Sequence, residues 1–160
     1  MPGVIDFVDA KDIPGVNDWR MAAVPEEIFC SGKSMYAGQS LGLVVAETRE
    51  IAIEAARMVV VEYANGGEIV VDTEKAMETP ANVIPFGPAM EYGPVDANME
   101  SAARVVQGRF KMGSQYHFHM ETHTCIVSPM EDGFDLMIPS QSVDMMAAVV
   151  AKALNIPVNR

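Results

Sequence analysis

The chain has 160 residues, 49% hydrophobic and 21% charged, with a formal net charge of -11. That length holds one domain or two small pieces, and the composition is ordinary for a soluble globular protein. The acidic balance argues against nucleic acid or an anionic membrane surface as a partner, because both call for clustered Lys and Arg.

Cys30 and Cys125 are too few for a disulfide scaffold, and neither belongs to a C-x-x-C pair. Both sit near apolar residues, where a free cysteine behaves as a small buried hydrophobe. The N-terminus lacks the basic-then-apolar order of a signal peptide, and no stretch has transmembrane length. A reducing, cytoplasmic setting is the expectation. The 13 methionines read as packing residues suited to irregular cores.

In chain order, Gly3-Val4-Ile5-Asp6-Phe7-Val8 reads as a short strand, and Asp12-Ile13-Pro14-Gly15 as a turn. Residues 16–27 have no period and contain Pro25, so a loop is expected. The apolar run Leu41-Gly42-Leu43-Val44-Val45-Ala46 predicts a buried strand. A helix follows, with Thr48 as N-cap, Glu50 in the first turn, and Ile51, Ala55, Met58 and Val59 on one face. Val59-Val60-Val61-Glu62-Tyr63 is β-branched and predicts a second strand. Strand, helix and strand together suggest a local β-α-β element.

Asn65-Gly66-Gly67 breaks this pattern. From there to about Gln107 the chain is acidic and carries Pro80, Pro85, Pro88 and Pro94, which disfavour long regular elements. An extended connector is expected, with a short strand over 68–71. Strands are then predicted over 105–111, 116–127 and 134–138, with Pro129-Met130-Glu131-Asp132-Gly133 turning between the last two. Ser142 opens a helix with Asp144 in its first turn and Val143, Met146, Val150 and Leu154 on one face, and Pro157 stops it.

Three groups of residues carry possible chemistry. Gly32-Lys33-Ser34 ends like a phosphate-binding loop, but Glu27 stands where that pattern needs glycine, and an acid there repels phosphate. His117, His119, Glu121 and His123 recur every second residue, so on a strand they share one face. They could ligate zinc or iron, bond to backbone or water in a half-buried strand, or contact a cofactor or neighbouring domain. Pro139-Ser140-Gln141 joins a strand end to a helix start, where α/β folds tend to place ligands. Local chemistry leaves Gln141 and Gln115 as polar turn residues or as uncharged ligand contacts.

The segment Gly113-Ser114-Gln115-Tyr116-His117-Phe118-His119-Met120-Glu121-Thr122 resembles the G-x-Q-x-H-F-x-x-E-T signature of the molybdenum hydroxylases, the family of xanthine dehydrogenase and aldehyde oxidase. Further segments resemble it in the family's order. These are Met1 to Val4, Asp9 to Gly15, Tyr36 to Gly42, Ala46 to Arg49, Ser140-Gln141 and Leu154 to Arg160. Ala10 to Gly15 and Leu154 to Pro157 look more like aldehyde oxidase.

The resemblance implies an α+β chain: the later part of an α/β hammerhead domain (1–64, with its first strands missing), a connector (65–103), and the opening strands and helix of a molybdopterin-binding domain (104–160). It implies that Gln141 sits beside molybdenum and can hydrogen-bond an oxo ligand, although Pro139-Ser140 stands where Ser-Thr is usual. Gln115 becomes scaffold near the site, with Ser114 where a second glycine is common. The family hydroxylates aldehydes or N-heterocycles with water as oxygen source and a glutamate as general base, and passes electrons through 2Fe-2S clusters to FAD. That glutamate and the pterin loop would lie beyond Arg160, and two separated cysteines cannot hold an iron–sulfur cluster. Glu121 belongs to the upstream motif and is not that base. The expectation is a fragment without activity of its own, whose parent is a cytoplasmic homodimer acting on a small molecule. The alternatives are a truncated interaction module without catalysis, or a small metal-binding protein using His117, His119 and His123.

Overall fold

A computed structural model describes residues 1–19, 25–64, 66–83, 87–88 and 90–160. In chain order its elements are β1 (Val4–Asp9), β2 (Gly42–Ala46), α1 (Arg49–Met58), α2 (Thr73–Met77), a 3-10 turn (Pro80–Asn82), α3 (Val95–Ser101), β3 (Ile126–Pro129), β4 (Phe134–Met137) and α4 (Val143–Leu154). Helices and two small antiparallel sheets make the fold α+β. Met1–Val61 with Phe118–Arg160 forms one compact unit, and Glu62–His117 a second. The loop expected over 16–27 lies partly outside the described residues, and Asn65 and Pro85 lie outside them altogether.

In the first unit β1 and β2 pair antiparallel, from Val4 opposite Ala46 to Asp9 opposite Gly42, with a register shift between Val4 and Asp6. The helix α1 starts where Thr48 predicts it. The Ile51 N–H donates to the Thr48 hydroxyl oxygen at 3.3 Å, satisfying a donor that has no partner inside the helix. Ile51, Ala52 and Ala55 are its half-buried residues. The apolar stripe is shorter than expected, since Met58 and Val59 are 66% and 49% exposed.

Residues 59–63 form no strand, which corrects the expected β-α-β element to an antiparallel pair followed by a helix. The β-branched run has strand propensity, but a strand also needs a partner for its backbone groups, and none pairs with it among the described residues.

β3 and β4 form the predicted hairpin, from Ile126 opposite Met137 to Pro129 opposite Phe134. The Met130 N–H donates to the Gly133 carbonyl at 2.8 Å across the turn. The strand expected over 116–127 forms only from Ile126 onward. Phe118 has φ 49, a left-handed conformation that interrupts strand alternation, so the His117, His119, Glu121 and His123 row does not share a strand face.

Helix α4 ends at Asn155, which takes the left-handed conformation at φ 55. Asn155 and Ile156 both donate to the Ala151 carbonyl, Ile156 at 3.0 Å. Ala151, 4% exposed, is the one buried residue among those described. Val143 is 78% exposed, so the helix face turned inward is Met146, Val149, Val150, Ala151 and Ala153, rotated from the predicted stripe.

In the second unit the connector is more helical than its prolines suggest. Asp72 caps α2, its carboxylate accepting from Glu74 N–H at 2.9 Å and Lys75 N–H at 3.2 Å. Pro80 opens the 3-10 turn, where a missing N–H costs nothing. The strands expected over 68–71 and 105–111 are absent. In their place Lys111 pairs with Asp72 at 2.9 Å and Arg109 with Glu74 at 2.6 Å. Lys75 also pairs with Glu68. Val106 and Phe110 are 85% and 89% exposed, so the segment has neither a strand partner nor a face to bury.

Candidate functional site

The junction after β4 is built by hydroxyls. Ser140 Oγ donates to the Ser142 carbonyl and accepts from the Ser142 N–H, both at 3.0 Å. That tight turn leaves Gln141 between them, exposed at the N-terminal end of α4. Among the described residues, no side-chain hydrogen bond ties down the Gln141 amide. It is therefore available as both donor and acceptor.

Ser142 occupies the N-cap position, but its hydroxyl does not cap the helix. It donates to Asp144 Oδ1 at 2.8 Å. Hydrogen bonds to the Asp144 carboxylate, first from the Ser142 hydroxyl and then from the Met145 N–H, hold its pKa below the usual aspartate value. The negative charge in the first turn already complements the helix dipole. An anion would thus find the α4 N-terminus taken, whereas the neutral Gln141 amide remains open to a ligand.

A cleft of about 560 Å³ opens beside this junction, lined by Met120, Glu121, Thr122, Thr124, Met137, Ile138 and Pro139. It brings the second half of the motif at 113–122 next to the strand end that leads into Gln141. Gln141 itself does not line it. Of the lining residues, Thr124 carried no signal in the sequence, because the cleft depends on the 120–124 segment meeting the end of β4. Asp144 carried a legible signal, the Ser-x-Asp spacing at a helix start.

Gln115 lies in the other compact unit, exposed, with its Nε2 3.8 Å from the Met112 sulfur. The His119 and His123 rings lie 6.1 Å apart, centroid to centroid, and tilted by 55°. Among the described residues no group of three His, Cys, Asp or Glu is arranged to hold a metal ion. Of the cysteines, Cys30 is half-buried with its N–H on the Ser40 carbonyl at 2.8 Å, and Cys125 is exposed rather than buried as expected. Gly32-Lys33-Ser34 leads into a turn with Gly38 at φ 87, not into a helix.

Two family models match in sequence order. Residues 1–66 match the α/β hammerhead domain of aldehyde oxidase and xanthine dehydrogenase, and residues 75–160 match the molybdopterin cofactor-binding domain. The chain belongs to the xanthine dehydrogenase and aldehyde oxidase family of molybdopterin proteins. It is 34% identical to the xanthine dehydrogenase of Blastobotrys adeninivorans over 163 residues, covering 99% of this chain and 12% of that protein. It is likewise 34% identical to the xanthine dehydrogenase of Dictyostelium discoideum, with the same coverage. To the aldehyde oxidase of Homo sapiens it is 27% identical, over 100% of this chain and 12% of that protein. The chain thus spans about an eighth of the length of these relatives. Its family is one of oxidoreductases, and among the described residues no helix is long and apolar enough to cross a membrane.

Proposed function

We propose that the chain is a segment of a molybdenum-cofactor hydroxylase acting on aldehydes or N-heterocycles, and that its contribution to chemistry is the Gln141 amide at the α4 junction. The observation that carries this reading is the junction itself: an exposed, unclaimed amide fixed between two serines in a chain that two domain models of the family cover in order. When bound, the molybdenum cofactor supplies the redox chemistry that inserts a water-derived oxygen into the substrate. Gln141 offers it a neutral hydrogen bond, and Asp144 keeps the helix end from competing for an anion. The site is partial, so the chain alone is inactive in this reading.

The surface supports a larger parent. Apolar side chains such as Tyr116 and Phe118 are 86% and 82% exposed. Surface of that kind is covered by another part of a protein in most folded states. We infer a cytoplasmic, homodimeric parent that also holds 2Fe-2S clusters and FAD. We further propose aldehydes over N-heterocycles, because the Ala10 to Gly15 and Leu154 to Pro157 segments look more like aldehyde oxidase.

The test is Gln141→Ala in the molybdenum-loaded protein at its native length. Turnover should fall strongly while molybdenum content and thermal midpoint hold. Unchanged turnover sinks the assignment. Assaying aldehydes beside purines on the same preparation decides the substrate class. A native polypeptide of only 17.3 kDa on a blot would leave a free-standing interaction module instead.

A further inference from the structure

Helix α4 is held at both ends, by different parts of the chain. Its N-terminal end carries the Gln141 junction. At its C-terminal end the last carbonyls have no donor within the helix. Asn155 and Ile156 serve the Ala151 carbonyl. The next two are served from far away in sequence: Val16 N–H donates to the Lys152 carbonyl at 3.1 Å, and Gly15 N–H to the Ala153 carbonyl at 2.8 Å. Asp18 adds a carboxylate 3.6 Å from Lys152 Nζ, with its side chain only 15% exposed.

This approach needs glycine at position 15. A Cβ there would run into the Lys152 carbonyl oxygen and lie 2.8 Å from that of Ala153, both backbone atoms that cannot swing aside. A helix of 12 residues is a rod of about 18 Å. A clamp on its far end therefore fixes the axis along which Gln141 is presented.

We propose that Gly15, with Val16 and Asp18, is a positioning element for Gln141, acting through α4. The proposal rests on the functional reading of Gln141, but the clamp is testable without it.

The experiment is amide hydrogen exchange on the protein at its native length, read by mass spectrometry. In the unaltered protein the Gly15 and Val16 amides should be protected as well as those of Asn155 and Ile156. Free exchange at Gly15 and Val16 overturns the clamp, with no variant needed. In Gly15→Ala, exchange should quicken about tenfold over 152–156. It should also quicken at the Met146 amide, which bonds to the Ser142 carbonyl at 3.2 Å in the first turn, with the β1–β2 pair unchanged. A rise confined to 152–156 overturns the positioning role, and a uniform rise means general destabilisation and overturns it too. In the cofactor-loaded enzyme the same substitution should lower kcat with KM unchanged. If the exchange pattern appears but Gln141→Ala leaves turnover intact, the functional reading fails and the clamp stands.

Discussion

Asn17 holds both backbone groups of Phe29. Its Nδ2 donates to the Phe29 carbonyl at 2.7 Å, and its Oδ1 accepts from the Phe29 N–H at 2.9 Å. The side-chain amide thus mimics a strand neighbour for a loop residue that has none. Both residues are half-buried. Asn17→Ala leaves a donor and an acceptor short of partners, so it should cost about 1–3 kcal/mol. Asn17→Asp is the sharper probe, because a carboxylate still accepts from the N–H but faces the carbonyl with nothing to donate. Urea unfolding should place Asn17→Asp no higher than Asn17→Ala; a value equal to the unaltered chain would remove Asn17 from the account of this loop.

Gly42 is fixed by a different contact. It lies opposite Asp9 in the β1–β2 pair, under the Phe7 ring. A Cβ at position 42 would meet that ring and lie 2.6 Å from the Val8 carbonyl oxygen. Gly42→Val should therefore destabilise by about 1–3 kcal/mol despite its higher strand propensity, since overpacking outweighs propensity here. Pairing with Phe7→Ala makes the space and should recover part of the loss. No recovery in the double variant would leave the Val8 carbonyl as the decisive clash.

What could be read ahead of the structure follows from the range of each signal. Thr48 and Pro157 mark their helices because caps and stops act within a few residues, and Ser142 marks the N-cap position of α4 although its hydroxyl bonds Asp144 instead of capping. The β3–β4 hairpin was legible for the same reason. The strands expected over 59–63, 68–71 and 105–111 failed because pairing is a long-range condition that β-branched residues do not report. The prolines of the connector masked Asp72, whose carboxylate starts α2. At the site, the Pro139-Ser140-Gln141 junction was visible as a strand-to-helix joint. The cleft wall at Met120 to Thr124 and the Gly15 contact with α4 were not, since each depends on residues distant in sequence meeting in space.

Helix α1 offers a simpler check of capping. The Thr48 hydroxyl oxygen is the acceptor for Ile51 N–H at 3.3 Å. Thr48→Ala should cost about 1 kcal/mol, and Thr48→Ser should restore most of it. The comparison is read from thermal midpoints. Equal midpoints for the Ala and Ser variants would show that the hydroxyl contributes nothing.

The α4 junction should respond to acid through Asp144. The Ser142 hydroxyl, with the Met145 N–H behind it, lowers the folded-state pKa of this carboxyl. A group whose pKa is depressed by folding contributes its stabilisation fully above the unfolded value, about 3.9 for aspartate. That contribution is lost as pH falls through the lowered folded value. The first turn of α4 should thus hold at neutral pH and loosen only in the acid range below about 4. Ser142→Ala removes the main cause of the shift, so Asp144 should titrate closer to its ordinary value and the loosening should begin at higher pH. Carbon-detected titration of the Asp144 carboxyl in both proteins measures this directly. Identical titration curves would show that the 2.8 Å bond from Ser142 does not hold the charge, and the junction's acid sensitivity would then have to come from elsewhere.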